Sequence, residues 1–436
     1  MTGGASGLRG LFAHEERVLA NGLRVLLIPR PALQRASVAL HLRVGSRYET
    51  TETNGLSHFL EHMLYRGTPS HPTSHEQALA FERLGGTLYA ATATDHGVMN
   101  LTLPRETLIS SLGLLGEIVR EPQFSAIDVE RGIIEEEIRE DLDEDGRQVD
   151  ADNLTRALLF PDHPLGFTIT GSVEQLQRHD RAALVRHHRR HYGASNIVAS
   201  VAGAFDVDRT FEALARSLGS LPAGETVQAA PAPGLPGKPK RQYIDSEGSQ
   251  TDLRVAFRGF GERDRHEPAI ELLLRVIDDG MATRLYERLC DTKGLCYDVS
   301  ATVESFSDDG IFDFAAETQH ERAPTVVRET LELCRELAEH GPTDDEVDIV
   351  RARLTWASRA LLDEPEDLAG FYGLATLSGV TPTPDARCEQ LLAVTREQIR
   401  DAAAALFRPE RLGVVAVGVL SRSAHRELER TVKNFR

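Results

Sequence analysis

From Gly22 the chain reads GLRVLLIPRP and then, after a Pro- and Gln-containing break, ASVALHLRVGS. Two runs of Val, Leu and Ile bounded by turn residues predict paired strands. A short amphipathic stretch, GLSHFLEHMLYRGT, follows them. HEQALAFERLGG then has helical periodicity and stops at Gly85-Gly86, as helices do at a glycine cap. TLYAATATDHGVMNLTLP alternates and predicts two strands. Between Glu106 and Arg120 the apolar residues Leu108, Leu112, Leu115 and Val119 recur at helical spacing, and Val129 to Asp141 predicts a second, strongly acidic helix. HHRRHYGASNIVASVAGAFD passes from a helix end through a turn into a buried strand.

The segment 218–240, LGSLPAGETVQAAPAPGLPGKPK, is rich in Pro and Gly, has no hydrophobic period and predicts a linker. Beyond it the plan repeats: a strand (TDLRVAFRGF), helices, a strand pair near Tyr297 to Phe314, two more helices and a last strand. ASNIVASVAGAF near Ser195 is echoed by PERLGVVAVGVL near Arg411. The predicted fold class is therefore α+β, with two similar α/β-layered halves, each a mixed or antiparallel sheet with helices packed on one face. The expected division is 1–217, a linker at 218–240, and 241–436.

Composition narrows the function classes. At 436 residues the chain is long enough for two cores, and 41% hydrophobic with 27% charged residues is ordinary for a globular protein. The net charge of -18 argues against nucleic acid and anionic membranes, which are engaged through clustered Lys and Arg. No apolar run approaches a membrane span and MTGGASGLRGLFAHEER has no h-region, so a cytoplasmic location is expected. Cys290, Cys296, Cys334 and Cys388 form no C-x-x-C pair, so any metal would be held by His and carboxylate.

His58 and His62 are four apart and share one helix face, with Glu61 beside them. Such pairs also occur on ordinary helices, so the spacing alone decides nothing. A zinc reading needs a third ligand, and the acidic helix offers Glu130, Glu135, Glu136, Glu137 and Glu140. Ile133, Ile134 and Ile138 are expected on its buried side. Glu130 and Glu137 lie two turns apart on one face beside that stripe, so Glu137 is one candidate ligand, with Glu130 nearby to support it. In RHHRRHY, His187 and His191 have the same four-residue spacing, but without a carboxylate and among arginines they predict a solvated helix end. The acidic tract EEEIREDLDEDGRQVDAD predicts a solvated helix face running into a loop. No phosphate-loop spacing is present.

HFLEHMLYRGT resembles the zinc motif of the inverzincins, peptidase family M16, which includes pitrilysin, insulin-degrading enzyme and the mitochondrial processing peptidases. NGLRVLLIPRP, VALHLRVGSRYET and ERGIIEEEI extend the resemblance over most of the chain, and the 75 positions from His62 to Glu137 fit the family spacing. The resemblance implies an M16/LuxS-metalloenzyme-like fold, with one zinc ion per chain held by His58, His62 and Glu137. It implies Glu61 as general base and Glu130 as the carboxylate supporting a ligand. It also implies that Tyr89, Ala90, Ala91 and Thr92 fall on the strand that in the family pairs with a peptide substrate.

In the family an Arg and a Tyr near a G-L-x-Y segment support the oxyanion. Here RLYERLCDTKGLCYDVSA has Tyr297 at the tyrosine position and Cys290 where the arginine is expected. A thiol cannot replace a guanidinium fork, and Arg288, two positions away, points elsewhere. The expected assembly is therefore a dimer, favoured as a heterodimer with an M16-like subunit that supplies the Arg/Tyr pair. Tyr89 also departs from the family's Asn. The expected function is a zinc endopeptidase acting on peptides or unfolded segments inside a chamber of paired subunits, and the alternative is a non-catalytic scaffold or partner subunit of the same fold.

Overall fold

A computed structural model describes residues 10–380 and 383–436. The first nine residues, on which the expected absence of an h-region partly rests, lie outside the described residues. No described helix is long and apolar enough to cross a membrane.

Two compact units form, and neither is one continuous stretch. The first contains residues up to Ile138 together with Phe167–Ala230 and Thr355–Cys388, and the second contains Arg139–Gly166, Pro231–Leu354 and Glu389–Arg436.

In the first unit, strands β1 (Glu15–Val18), β2 (Arg24–Pro29), β3 (Arg35–Leu42), β4 (Leu88–Thr92), β5 (Gly97–Pro104) and β6 (Ile197–Gly203) form one sheet in the order β1-β2-β6-β3-β5-β4. The β2–β6 pair is parallel and the others are antiparallel. In the second unit, β7 (Lys240–Ile244), β8 (Thr251–Arg258), β9 (Cys296–Ser305), β10 (Gly310–Thr318) and β11 (Leu412–Val417) are ordered β7-β11-β8-β10-β9, again with one parallel pair, β7–β11. The two orders correspond strand for strand once β1 is set aside. The sequence echo lands on equivalent strands, β6 and β11, each entered from a short 3-10 turn. The fold is α+β with two similar halves.

Strands β3 and β6 are buried almost throughout, which a half-covered sheet does not produce. The helix Pro365–Ser378 lies on both of them, and it comes from the second half of the sequence. Its approach depends on Gly373: a Cβ there would stand 2.2 Å from His41 Nδ1 and 2.8 Å from Ser200 Oγ. Ser200 Oγ also donates to the Ala369 carbonyl at 2.7 Å. Reciprocally, the helix Ala151–Leu159, from the first half, covers β8 and β11; Leu154 packs on Val415 and Val417, and Arg156 pairs with Glu304 at 2.7 Å. These exchanged helices have no counterpart in a linear division of the chain.

Two expectations are corrected. Ile133 is 43% exposed, because the buried stripe of its helix is Glu130, Ile134 and Ile138. His187 and His191 are buried, not solvated: His187 Nε2 pairs with Ser57 Oγ at 3.0 Å, and His191 Nδ1 donates to the Arg43 carbonyl at 2.7 Å. Burial drives His191 down to about 4, so the ring is a neutral hydrogen-bonding wedge.

Candidate metal centre

Two helices of the first unit build the centre. The motif helix, Leu56–Met63, buries Leu56, Phe59, Leu60 and Met63 and turns His58, Glu61 and His62 to its other side. It starts at Gly55, whose left-handed φ of 89° and whose approach to the Thr170 carbonyl, 2.6 Å from where a Cβ would lie, admit only glycine. The acidic helix, Ile127–Glu140, runs past it and brings Glu130 and Glu137 to the same side.

His58 Nε2 and His62 Nε2 are 3.3 Å apart. Glu137 sets Oε2 at 3.5 Å from His58 Nε2 and Oε1 at 3.6 Å from His62 Nε2. Taken one donor atom per residue, the three groups lie within 4.8 Å of one another. A tetrahedral zinc with bonds of about 2.0–2.1 Å requires donors roughly 3.3–3.4 Å apart. The donor set, two imidazoles and a carboxylate, and its spacing therefore fit that ion. The Glu137 side chain is 41% exposed against 14% for His58 and 17% for His62, so the open side of the triad faces solvent beside Glu137 and leaves a position for water.

Glu130 is buried behind the triad. Its Oε2 accepts from His62 Nδ1 at 2.9 Å, and its Oε1 accepts from Arg66 Nε. That contact fixes the proton of His62 on Nδ1 and leaves the Nε2 lone pair for the centre. Burial works to raise Glu130, but the bonds from His62 and Arg66 win and hold it below the usual range. For His62, burial is the largest influence and lowers its pKa, yet the Glu130 bond and the charges of Glu137, Glu130 and Glu61 leave it raised. His58 is pushed down to about 3 by burial and then by His62, so it stays neutral, as a ligand must. Among the described residues none hydrogen-bonds His58 Nδ1.

Glu61 is half-buried one turn along the helix. Burial raises its pKa although Thr92 Oγ1 donates to Oε2 at 2.6 Å and His62 pulls the other way. A carboxylate raised toward neutrality is suited to proton transfer. Its partner Thr92 ends β4, the outer strand of the sheet, and among the described residues no strand lies beside its far edge. Tyr89 on β4 is 55% exposed, Ala90 is buried, and Ala91 and Thr92 are half-buried.

Because Thr92 favours the ionised form of Glu61, its loss acts in a known direction. Thr92→Val is expected to move the acidic limb of the pH dependence of kcat/KM to higher pH. The activity below that limb should fall about fivefold, the worth of one hydrogen bond of about 1 kcal/mol. An unmoved limb in a pH–rate series would refute the coupling.

Tyr297 belongs to the second unit, where it is the second residue of β9 and is 94% exposed, so it is no core residue. Cys290 sits half-buried in the π-helical turn Glu287–Thr292, and Arg288 is held by both oxygens of Glu336 at 2.6 and 2.7 Å. Arg66 and the Thr92–Glu61 bond were not singled out from the sequence. Arg66 follows His62 by one turn, and that spacing was the available signal.

The protein thus has two α+β units and a cluster in which two histidines of an H-x-x-E-H helix meet a glutamate of a second helix. Residues 24–171 match the family model described as insulinase (peptidase family M16), and residues 179–354 match that of the peptidase M16 inactive domain. The chain belongs to peptidase family M16. It is 29% identical to an uncharacterized zinc protease of Mycobacterium tuberculosis over 93% of each chain. It is 27% identical to the uncharacterized zinc protease YmxG of Bacillus subtilis, over 89% of this chain and 94% of that one. Among solved structures, a protease from Helicobacter pylori shares the fold with a TM-score of 0.87 at 20% identity, over 93% of this chain and 99% of that one. The periplasmic protease PqqL from Escherichia coli gives 0.75 at 20% identity, over 97% of this chain and 50% of that one.

Proposed function

We propose that this protein is a zinc-dependent endopeptidase that cleaves peptides or unfolded polypeptide segments, and that it works as a pair of two-domain subunits enclosing a chamber. The observation that carries the reading is the convergence of His58, His62 and Glu137 with Glu61 beside them. A structural metal site has no use for a half-buried carboxylate of raised pKa beside it, whereas hydrolysis needs one. The naming of the relatives as zinc proteases supports the metal and the reaction class.

Zinc held by His58, His62 and Glu137 would polarise the scissile carbonyl and lower the pKa of water from about 15.7 toward roughly 7. Glu61 takes the water proton on its carboxylate and passes it to the leaving amine nitrogen. Thr92 holds Oε2 of that carboxylate, which keeps Oε1 for the proton. Glu130, braced by Arg66, orients His62. The free edge of β4 takes the substrate main chain as an added strand, along Tyr89, Ala90, Ala91 and Thr92. Tyr89, with an exposed ring, selects among side chains.

In this reading 1–217 is the catalytic domain, 218–240 the linker and 241–436 the C-terminal domain, with the helices Ala151–Leu159 and Pro365–Ser378 exchanged between the halves. Tyr297 is free to support an oxyanion, but Cys290 supplies no cation and Arg288 is committed to Glu336. The partner is therefore a second M16-like subunit that brings the Arg/Tyr pair.

Purified chain is expected to hold about one zinc, to hydrolyse a quenched fluorescent peptide weakly alone, and to gain activity when a family member with the Arg/Tyr pair is added. A metal-free chain, or one inactive both alone and with that subunit, would leave the scaffold reading in its place. Full activity as a homodimer would remove the heterodimer.

A further inference from the structure

The motif helix is eight residues long, shorter than the roughly 12–15 residues at which an isolated helix becomes marginally stable in water. Its N-cap, Gly55, offers no side chain to the first free N–H groups. Both ends are instead held by buried side chains from outside the helix. At the start, Glu49 is 4% exposed; its Oε2 accepts from the Gly55 N–H at 2.9 Å and from Asn54 Nδ2 at 3.1 Å, and its Oε1 accepts from the Ser57 N–H at 2.7 Å. Ser57 directly precedes His58. Its hydroxyl is fixed in turn by the Gly45 N–H at 3.2 Å and His187 Nε2 at 3.0 Å. At the far end, Gln77 is also 4% exposed; its Nε2 donates to the Leu64 carbonyl at 2.8 Å and its Oε1 accepts from the Gly67 N–H at 2.8 Å.

Glu49 supplies both oxygens to the first free N–H groups of the helix; burial raises its pKa, and the bonds from Ser57, Asn54 and Gly55 work against that rise. What Glu49 holds is the orientation of the ligands. A helix that slips by one residue moves about 1.5 Å along its axis and turns about 100°. The donor separations of 3.3 to 3.6 Å in the triad leave no room for such movement.

We propose that Glu49 and Gln77 are positioning residues for the metal centre: they clamp the two ends of the motif helix so that His58 and His62 converge on the point that Glu137 faces. This rests on the reading of the triad as a zinc site. Neither residue touches the metal position, so their loss leaves the ligand set whole and degrades its geometry.

The test is a zinc titration against a chromophoric chelator, with cobalt(II) absorption as a second readout, on the full chain and on Glu49→Gln and Gln77→Leu. Both variants are expected to bind zinc about tenfold or more weakly, the range for groups that orient ligands, and to give an altered cobalt(II) band. Leu214→Ala, a cavity variant in the core of the same unit on a helix that carries no group of the site, is the control for lost stability. It is expected to keep wild-type affinity and the wild-type band at an equal loss of Tm. Wild-type affinity and spectrum in both variants, or an equal loss of affinity in Leu214→Ala, would overturn the proposal. If Glu49→Gln does not fold, Gln77→Leu decides alone. Wild-type protein that binds no zinc would defeat the underlying zinc reading, whereas zinc-binding wild type with unaffected variants defeats this inference only.

Discussion

Glu61→Gln is expected to keep the metal and lose hydrolysis. The amide has nearly the same shape and still accepts from Thr92, and His58, His62 and Glu137 are untouched, so zinc content should match that of the wild type. The amide cannot take a proton from water, and the loss of a positioned general base costs about 10²–10⁴ in rate. The check is metal analysis beside a kcat/KM measurement on one preparation. A variant that hydrolyses peptides at an unchanged rate would show that Glu61 is not the base. A variant that loses zinc would assign it a structural part instead.

Removal of a ligand should do the converse. Glu137→Gln leaves the two histidines in place and replaces the one anionic donor of the triad by a neutral amide, a poor ligand for zinc. The affinity should fall by more than about 100-fold, beyond the upper end of what the loss of a group that merely orients a ligand costs. Dialysed variant should then be nearly metal-free and inactive, and the activity of the wild type should disappear with a chelator and return with zinc. Dialysed variant that still holds stoichiometric zinc would mean that Glu137 faces the histidines without ligating. Together the two variants separate the metal from the base: one is loaded and inert, the other is empty.

Much of the candidate site is legible in the sequence. The spacing of His58, Glu61 and His62 is a property of the α-helix itself, and so is the placing of Glu130 and Glu137 two turns apart. The strands β2, β3, β5, β6 and β8 announced themselves through apolar runs or alternation, because they are buried on one or both faces. The short outer strands were less visible. EERV and KRQYI are β1 and β7, whose mixed, charged composition suits the edge of a sheet and carries little periodic signal.

The misreadings have one cause. In HHRRHY the charged neighbours suggested solvent, but burial is decided by what packs against a helix: His187 is fixed by Ser57 on the motif helix and His191 by the carbonyl of Arg43. Ile133 shares its residue type with Ile134 and Ile138 but stands on the exposed flank of their buried stripe. Glu49 lies in VALHLRVGSRYET, a segment that contributes to the family resemblance without marking Glu49 itself. Nothing local reveals that its carboxylate reaches the N–H groups of Gly55 and Ser57.

By itself the sequence determined the elements and the chemistry that depends on spacing along one element: two histidines on one helix face, two glutamates on another, a repeated strand order, and a thiol where a guanidinium was expected. Tertiary structure alone decided that the two helices meet with donor atoms 3.3 to 3.6 Å apart, that Thr92 reaches Glu61, and that helices cross between the halves to cover each other's sheets. The division follows from range. Helical and strand periods are written within about ten residues of chain, whereas the approach of His62 to Glu130 and Glu137, or of Gly373 to His41, joins residues far apart in sequence, and only the packed core fixes it.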